Sequence, residues 1–491
     1  MKRKVLLAIC MSLLFIVSAC KKVEKTELIL TDPEVSLGAH MASVCFRVSG
    51  PNDLGAEISL SENADMSNPR YFEGRSYQYS PNRFYFELYD LLPNTVYWYQ
   101  ISVGNREVQK VTELQKFTTL ESDLVFNDLV IDRLGSTSAF CSANVDFVEG
   151  VSWAYLSDYI KKKGVCWSTN HNPSLTDSYS YSLSDEFYYL NRDFTTILYG
   201  LSGSTLYYLR PFAITQNDTC YGAEQQFVTL QEGLGSGLFT LDDKVVRFAL
   251  GNLQYQASTQ TWRFADNQWS AIGASNHNIG EHYEGWIDLF GWGTSGYNHG
   301  AACYQPWSSS AGYYDYYAYG NCNYCLDSQT GQADWGFNPI SNGGCEENTW
   351  FTLSYDGWED LFSPYRNHSN VSFAKARVNG VNGVVVTPDD WTNLFYPFNF
   401  PNDYNASFTS NEIELSTWIG KLEPLGCVFL PAVGYRENTS VSNARNYGGY
   451  WTSSVRSYNN IYCQWFDENH LEIIYEDRSK GHAVRLVSLA E

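Results

Sequence analysis

Charge is scarce in this chain, and positive charge is scarcer still. Only 18% of the 491 residues are charged, and 54 acidic against 32 basic residues leave a formal net charge of −22. A field of that sign repels phosphate backbones, which excludes nucleic acid as a partner and makes the surplus an acidic, solubilising surface. The usual catalytic signatures are missing too: no Gly-x-Ser-x-Gly, His-Glu-x-x-His or P-loop occurs. His40, His171, His277, His282, His299, His368, His470 and His482 are scattered, with no two at metal-ligand spacing. Asp389-Asp390, Glu359-Asp360 and Glu346-Glu347 are sequence neighbours, whereas acid–base hydrolysis needs carboxylates facing each other across a cleft.

Cysteine is present but undirected. Cys10 and Cys20 lie in the first twenty residues, and Cys45, Cys141, Cys166, Cys220, Cys303, Cys322, Cys325, Cys345, Cys427 and Cys463 are too dispersed for a disulfide scaffold. Cys322 and Cys325 form a CxxC with no second pair at zinc-finger spacing, so buried thiols or an incidental disulfide are expected instead of a metal site. No catalytic residue, metal site or cofactor is assigned.

Aromatics are what the chain has in quantity, 16% with 37 Tyr and 15 Trp. That bias, over a length suited to about three or four domains, points to a mainly β extracellular protein. Lys2, Arg3 and Lys4 precede the apolar run VLLAICMSLLFIV, and VSAC ends at Cys20. This pattern, residues 1–20, resembles a bacterial lipoprotein signal peptide, which implies lipidation of Cys20. Residues 21–27 then read as a tether. Lys21, standing where many inner-membrane lipoproteins carry Asp, implies an outer-membrane, lipid-anchored location, cell-surface exposed, and more than one acyl chain would make the anchor stable.

An internal repeat follows. LLPNTVYWYQISV from Leu91 and LSGSTLYYLRPFAI from Leu201 share Leu, Thr95 or Thr205, and Tyr97 or Tyr207, at an offset of 110 that also carries KFTTL at Phe117 to QFVTL at Phe227. A turn, an alternating strand and a Tyr placed to bond back to its loop predict a tyrosine corner. The unit resembles fibronectin type III domains, over residues 28–120 and 123–230, with Cys166 and Trp167 on a middle strand. Residues 231–237, within LQEGLGSGLF, read as a glycine-rich linker.

From Leu238 to the end the composition turns to Trp, Gly and Asn. VVRFALGNLQYQASTQTWRF alternates like hairpin strands. Ser354 caps a predicted helix with Trp358, Leu361 and Phe362 on one face, and a second helix is predicted over 387–395 with Trp391, Leu394 and Phe395 together. Val428 to Leu430 form a buried strand, NNIYCQWF and LEIIYE a hairpin across Asp467 to Asn469, and GHAVRLVSL the closing strand. GNLQYQAS, WIDLFGWGTSGYNHGA, FLPAVGYR, GYWTSS and the terminal Gly481-x-x-Val484-Arg485-Leu486-Val487 resemble the Fibrobacter succinogenes major paralogous domain and its Bacteroides relatives across residues 238–491. The resemblance implies a C-type-lectin-like α+β fold whose final strand pins the ends together, behind two β-sandwiches.

The catalytic branch of that fold, the sulfatase-modifying enzymes, uses a close cysteine pair, whereas Cys427 and Cys463 lie 36 positions apart. Calcium-dependent lectins of the fold carry Glu-Pro-Asn and Trp-Asn-Asp, where this chain has Glu423-Pro424-Leu425 and WFDEN. In relatives that bind without calcium the terminal hairpin is the ligand face, in some cases diversified by a retroelement. The resemblance therefore implies a contact face of Arg456, Tyr458, Asn459, Asn460, Tyr462, Gln464, Asn469 and His470, residue types suited to binding, over a framework of Trp451, Trp465, Val484, Leu486 and Val487. The expected function is non-enzymatic recognition of a glycan or protein ligand at the cell surface by a head on a two-module stalk. A structural or fimbrial envelope role, or polysaccharide capture for a glycan-uptake system, are the alternatives.

Overall fold

Every second side chain is buried along Ala42–Ser49 and Val96–Gly104, the pattern of strands that turn one face to a core. The computed structural model describes residues 27–51, 53–77, 80–148, 160–183, 192–276, 280–297, 325–326, 333–457 and 459–490. Residues 1–20 with Cys20, the tether to residue 26, Cys303, Cys322 and Tyr458 lie outside them. The chain is mainly β, its sheets sandwich-like, and it divides into two compact units: residues 1–125 with 145–161 and 214–220, and residues 126–144, 162–213 and 221–491.

In the first unit, Ala42–Ser49 and Ser80–Leu88 pair in one sheet, and Gly55–Ser61 and Val96–Gly104 in another. Val44, Phe46, Phe84 and Phe86 from one meet Ile58, Tyr97, Tyr99 and Ile101 from the other in a single apolar core. The expected tyrosine corner is present, since Leu92 N donates to Tyr97 OH at 2.9 Å. Thr119 Oγ1 locks it by donating to Leu92 O (2.6 Å) and accepting from Thr95 N (2.9 Å).

The second unit repeats that arrangement. Ser202 N donates to Tyr207 OH (3.1 Å), Thr229 Oγ1 donates to Ser202 O (2.6 Å), and Thr205 N donates to Thr229 Oγ1 (2.9 Å). Cys166 and Trp167 are buried on Ile160–Ser168, as expected. The cysteines among the described residues are free thiols, Cys325 included.

Residues 231–237 do not behave as a linker. A Cβ on Gly237 would stand 2.3 Å from Gly426 O, and Gly426 itself has φ +87°, so glycine serves close backbone approach at this point. Around it the repeat module and the terminal module share one core, in which Phe140 and Ile197 cluster with Val371, Ala374, Trp391, Trp418 and Phe429. Arg133 fastens the joint. Its Nε pairs with Asp390 Oδ2 (2.8 Å), its Nη1 donates to Leu425 O (2.7 Å), and its guanidinium lies over Phe140 and Phe395 at 5.6 and 5.0 Å. Asp390, with its side chain 61% exposed, is the outer partner of this pair, and Arg133 is the buried one.

In the terminal module Lys244–Phe248 pairs with Leu486–Leu489, which also pairs with Phe351–Thr352, so the closing strand meets the first strands of the module. A second sheet runs Glu412–Ile413, Phe373–Val378, Val381–Val386, Val428–Pro431. The helix Tyr355–Leu361 forms as expected, with Ser354 accepting from Gly357 N and Trp358 and Leu361 buried. The helix expected over 387–395 does not form. Asp389 is held by Arg366 (2.5 Å) and by Thr240 N (2.6 Å), Asn367 Nδ2 donates to Thr387 Oγ1 (3.0 Å), and Leu394 is 93% exposed instead of joining Trp391. Tertiary hydrogen bonds to the first residues outbid a short run of apolar spacing, and two tight turns replace it.

Trp292, Trp335, Trp350, Trp358, Trp418 and Trp451 are fully buried. Arg485 is fully buried too: its Nε donates to Asn252 Oδ1 (2.9 Å), Nη1 to Ala249 O (3.1 Å) and Nη2 to Phe429 O (2.8 Å). Replacing Arg485 with Met should cost about 3 kcal/mol or more in denaturant unfolding, because it strands three buried acceptors on two segments; a loss below about 1 kcal/mol would contradict the assignment. Arg133→Ala should lower the melting temperature of the second unit by several degrees, and an unchanged melt would show the joint to be energetically idle.

Candidate functional site

Of the expected contact residues, Asn460, Tyr462 and Gln464 sit on a three-stranded antiparallel sheet of Gly448–Val455, Asn460–Phe466 and Leu471–Asp477, Arg456, Asn459, Asn469 and His470 lie in the connections between its strands, and Tyr458 lies outside the described residues. Tyr450 lies opposite Gln464, and Tyr462 opposite Tyr475. Both faces of the middle are covered. Ile461 and Cys463 join one apolar cluster with Trp451, and Phe466 joins another with Tyr450. Gln464, expected as a ligand contact, is only 1% exposed, and its Nε2 donates to Glu472 O (3.2 Å) and Trp465 O (3.3 Å). Period two puts residue 464 on the side of Phe466, so it belongs to the framework. Trp451, Val484, Leu486 and Val487 are buried, as framework residues should be, while Trp465 is half-buried.

The remaining residues separate into the two ends of the sheet, not one face. At one end the exposed Arg456 lays its guanidinium 3.8 Å from the centre of the Tyr475 ring, itself 50% exposed. Tyr462, half-buried, packs on Tyr355 with ring centres 4.6 Å apart. Asn460 Nδ2 donates to Ser457 Oγ (3.3 Å), and Asn459 O accepts from Arg478 N (3.3 Å). Tyr475 and Tyr355 were missed in the sequence reading. The signal for Tyr475 was its place in the alternating run LEIIYE, while its position opposite Tyr462 comes from the register in the structure.

At the other end Asp467 builds the turn. Its Oδ1 accepts from Asn469 N (2.7 Å), His470 N (2.8 Å) and His470 Nδ1 (3.0 Å), while the His470 ring stacks on Trp465 at 5.1 Å. Burial alone would raise the Asp467 pKa, but these hydrogen bonds bring it below the usual carboxylate value. A cleft of about 400 Å³ opens beside this turn.

Buried ionisable groups elsewhere in the module serve the fold. Burial pushes the Cys427 and Cys463 thiols well above their ordinary range, unlike reactive thiolates. Glu423 is raised by burial against the opposing hydrogen bond from Gln268 Nε2 at 2.8 Å, which engages the carboxylate in the Arg485 region. Among the described residues no group of three or more His, Cys, Asp or Glu could hold a metal. His482 is pushed down to about 3 by burial, with Lys480 adding to the effect. Asp288 is raised to about 6 by burial, opposed by hydrogen bonds from Ile272 N and Asn276 and by the Arg436 charge.

These two groups oppose each other in acid. The folded pKa of His482, about 3, lies below its ordinary 6.5, so the unfolded chain takes the proton first and stability falls as pH drops below about 6.5. The folded pKa of Asp288, about 6, lies above its ordinary 3.8, so the folded chain takes that proton first and acidification from 6 towards 4 stabilises. Asp288→Asn removes the second contribution. Its stability should fall more steeply than that of the wild type between about pH 6 and 4, by up to ~1.4 kcal/mol per pH unit in urea titrations; parallel curves would refute the opposition.

No protein-family model and no curated protein matches the chain. Among solved structures it is similar to the FN1–FN3 domains of chicken CNTN1, at 14% identity over 41% of this chain and 64% of that one, with a TM-score of 0.18. It is also similar to the sensor domain of the anti-sigma factor RsgI4 of Pseudobacteroides cellulosolvens, at 19% identity over 20% of this chain and 97% of that one, TM-score 0.16. A computationally redesigned β-sandwich is similar at 18% identity over 18% of this chain and 93% of that one, TM-score 0.16.

Proposed function

We propose that this chain is a non-catalytic cell-surface lipoprotein, anchored in the outer membrane through Cys20, whose C-type-lectin-like terminal module recognises a glycan or protein ligand. The carrying observation is the platform of Arg456, Tyr475, Tyr462 and Tyr355 at one end of the terminal sheet. Tyr355 and Tyr462 already pack on each other, and Arg456 already lies over Tyr475, so little side-chain entropy is lost on binding. Tyr and Arg are also the side chains whose truncation most often abolishes recognition. Tyr475 remains open to solvent beside Tyr462 and Arg456, which gives the sheet end an aromatic surface available for contact. Burial of the thiols at Cys427 and Cys463 supports a binding role over thiol chemistry.

The test uses the full chain in detergent, screened on glycan arrays and on panels of surface proteins. Tyr462→Ala combined with Tyr475→Ala should weaken a ligand bound at the platform by at least about tenfold while leaving the melting profile of the repeat modules in place. Absence of any ligand, or a ligand indifferent to both the platform and the cleft beside Asp467, would refute the recognition reading. Protease treatment of intact cells should release the terminal module, and its retention would remove the surface assignment.

A further inference from the structure

The cleft at the far end of the terminal sheet has a chemistry of its own. Its volume, about 400 Å³, lies within the range of about 300–1,000 Å³ usual for small-molecule sites. Four asparagines line it, Asn382, Asn443, Asn446 and Asn469, together with hydroxyls from Ser407 and Thr409 and the ring of Tyr447. Asn382 is committed to the fold, accepting from Arg377 Nε (2.9 Å) and donating to Arg445 O (2.9 Å). Asn446 and Asn469 are different. Both are exposed, and their side-chain amides make no hydrogen bond among the described residues.

Charge in the cleft is already spent or negative. Arg377, the lining cation, is paired with Glu412 Oε1 at 2.8 Å. Glu468 Oε1 accepts from Ser407 Oγ (3.0 Å), and Asp467 has one oxygen committed to its turn while Oδ2 has no hydrogen bond among the described residues. An anionic ligand would find no unpaired cation on the walls and would face both carboxylates. A neutral ligand rich in hydroxyls meets a matching set. A primary amide presents an acceptor and a donor side by side, as two adjacent hydroxyls require, a carboxylate oxygen accepts a third, and an aromatic ring offers an apolar face to C–H groups.

We infer that this cleft is a second binding site, separate from the Arg456–Tyr475 platform, which takes a neutral saccharide unit through adjacent hydroxyls. The inference rests on reading the terminal module as a recognition module, and it assigns direct ligand contact to Asn446 and Asn469, with Asp467 as an acceptor and Tyr447, fixed among Tyr435, Trp465 and His482, as a rigid wall. Concavity separates the two sites: the platform presents rings on a sheet end, whereas the cleft encloses a small group.

The experiment is a binding titration of the full chain in detergent against neutral oligosaccharides and their sialylated and sulfated counterparts, up to roughly 10 mM. At least one neutral saccharide should bind, weakened at least about tenfold by Asn446→Ala with Asn469→Ala and changed less than about twofold by Tyr462→Ala with Tyr475→Ala. Neither asparagine amide supports the fold, so an unchanged melting temperature is expected, and Asn469→Gln should restore part of the binding. Preference for the sialylated or sulfated forms overturns the cleft assignment. So does neutral-saccharide binding that survives the asparagine pair and is lost with the tyrosine pair, an outcome that leaves the recognition reading standing. If no neutral saccharide binds while a protein ligand does, the cleft assignment alone fails; if nothing binds, both fail.

Discussion

The guanidinium of Arg485 is the point on which the terminal module turns. Burial lowers its pKa from 12.5 to about 10, which still leaves it charged at neutral pH, so each donor must find an acceptor inside the protein. Those acceptors come from Ala249 and Asn252 on one stretch and from Phe429 on another that lies far along the chain. Gln268 extends the arrangement by accepting from Phe429 N (2.8 Å) and donating to Glu423 (2.8 Å). A cation that can be satisfied only when its partner segments are in place makes a partly assembled module costly, and hence favours one arrangement of its Trp-rich core.

That constraint explains why the ends of the terminal sheet are free to differ while its middle is not. Tyr450 OH donates to Pro431 O (2.8 Å) and Trp451 Nε1 to Phe290 O (2.6 Å), so the first strand is tied into the module from both faces. Glycine at 449 leaves room for His482, since a Cβ there would stand 2.3 Å from its Nδ1. With the centre filled this tightly, exposed chemistry is displaced to Arg456 and Tyr475 at one end and Asp467 to His470 at the other.

Legibility of the fold in the sequence followed the range of the interactions. The tyrosine corners were readable because the Tyr, its turn and the locking Thr recur at one offset, and the Ser354 cap because its bond spans three residues. The hairpin was readable from its two alternating runs, while its register and the partner it gives Tyr462 come from the structure. The helix expected over 387–395 was not excluded by anything local; Arg366 and Thr240, both distant, hold Asp389 out of it. Residues 231–237 have the composition of a flexible joint, and only the approach of Gly426 shows that their glycines permit packing. Gln464 was misjudged because alternation identifies two faces but not a sheet covered on both. The amide cleft escaped notice because its walls come from segments between residues 377 and 469, a juxtaposition made only by folding.

The closing strand has a mechanical consequence. Leu486–Leu489 lies between Lys244–Phe248 and Phe351–Thr352, and the chain enters this sheet from the packed segment 231–237 through the edge strand Phe239–Leu241, which pairs with Lys244–Phe248. Ladder hydrogen bonds run across the strands, so tension drawn along Lys244–Phe248 is borne by several of them together, in shear, instead of being broken one at a time. The closing strand thus resists sliding along two neighbours at once, which makes it the element that holds the beginning and the end of the module together under load.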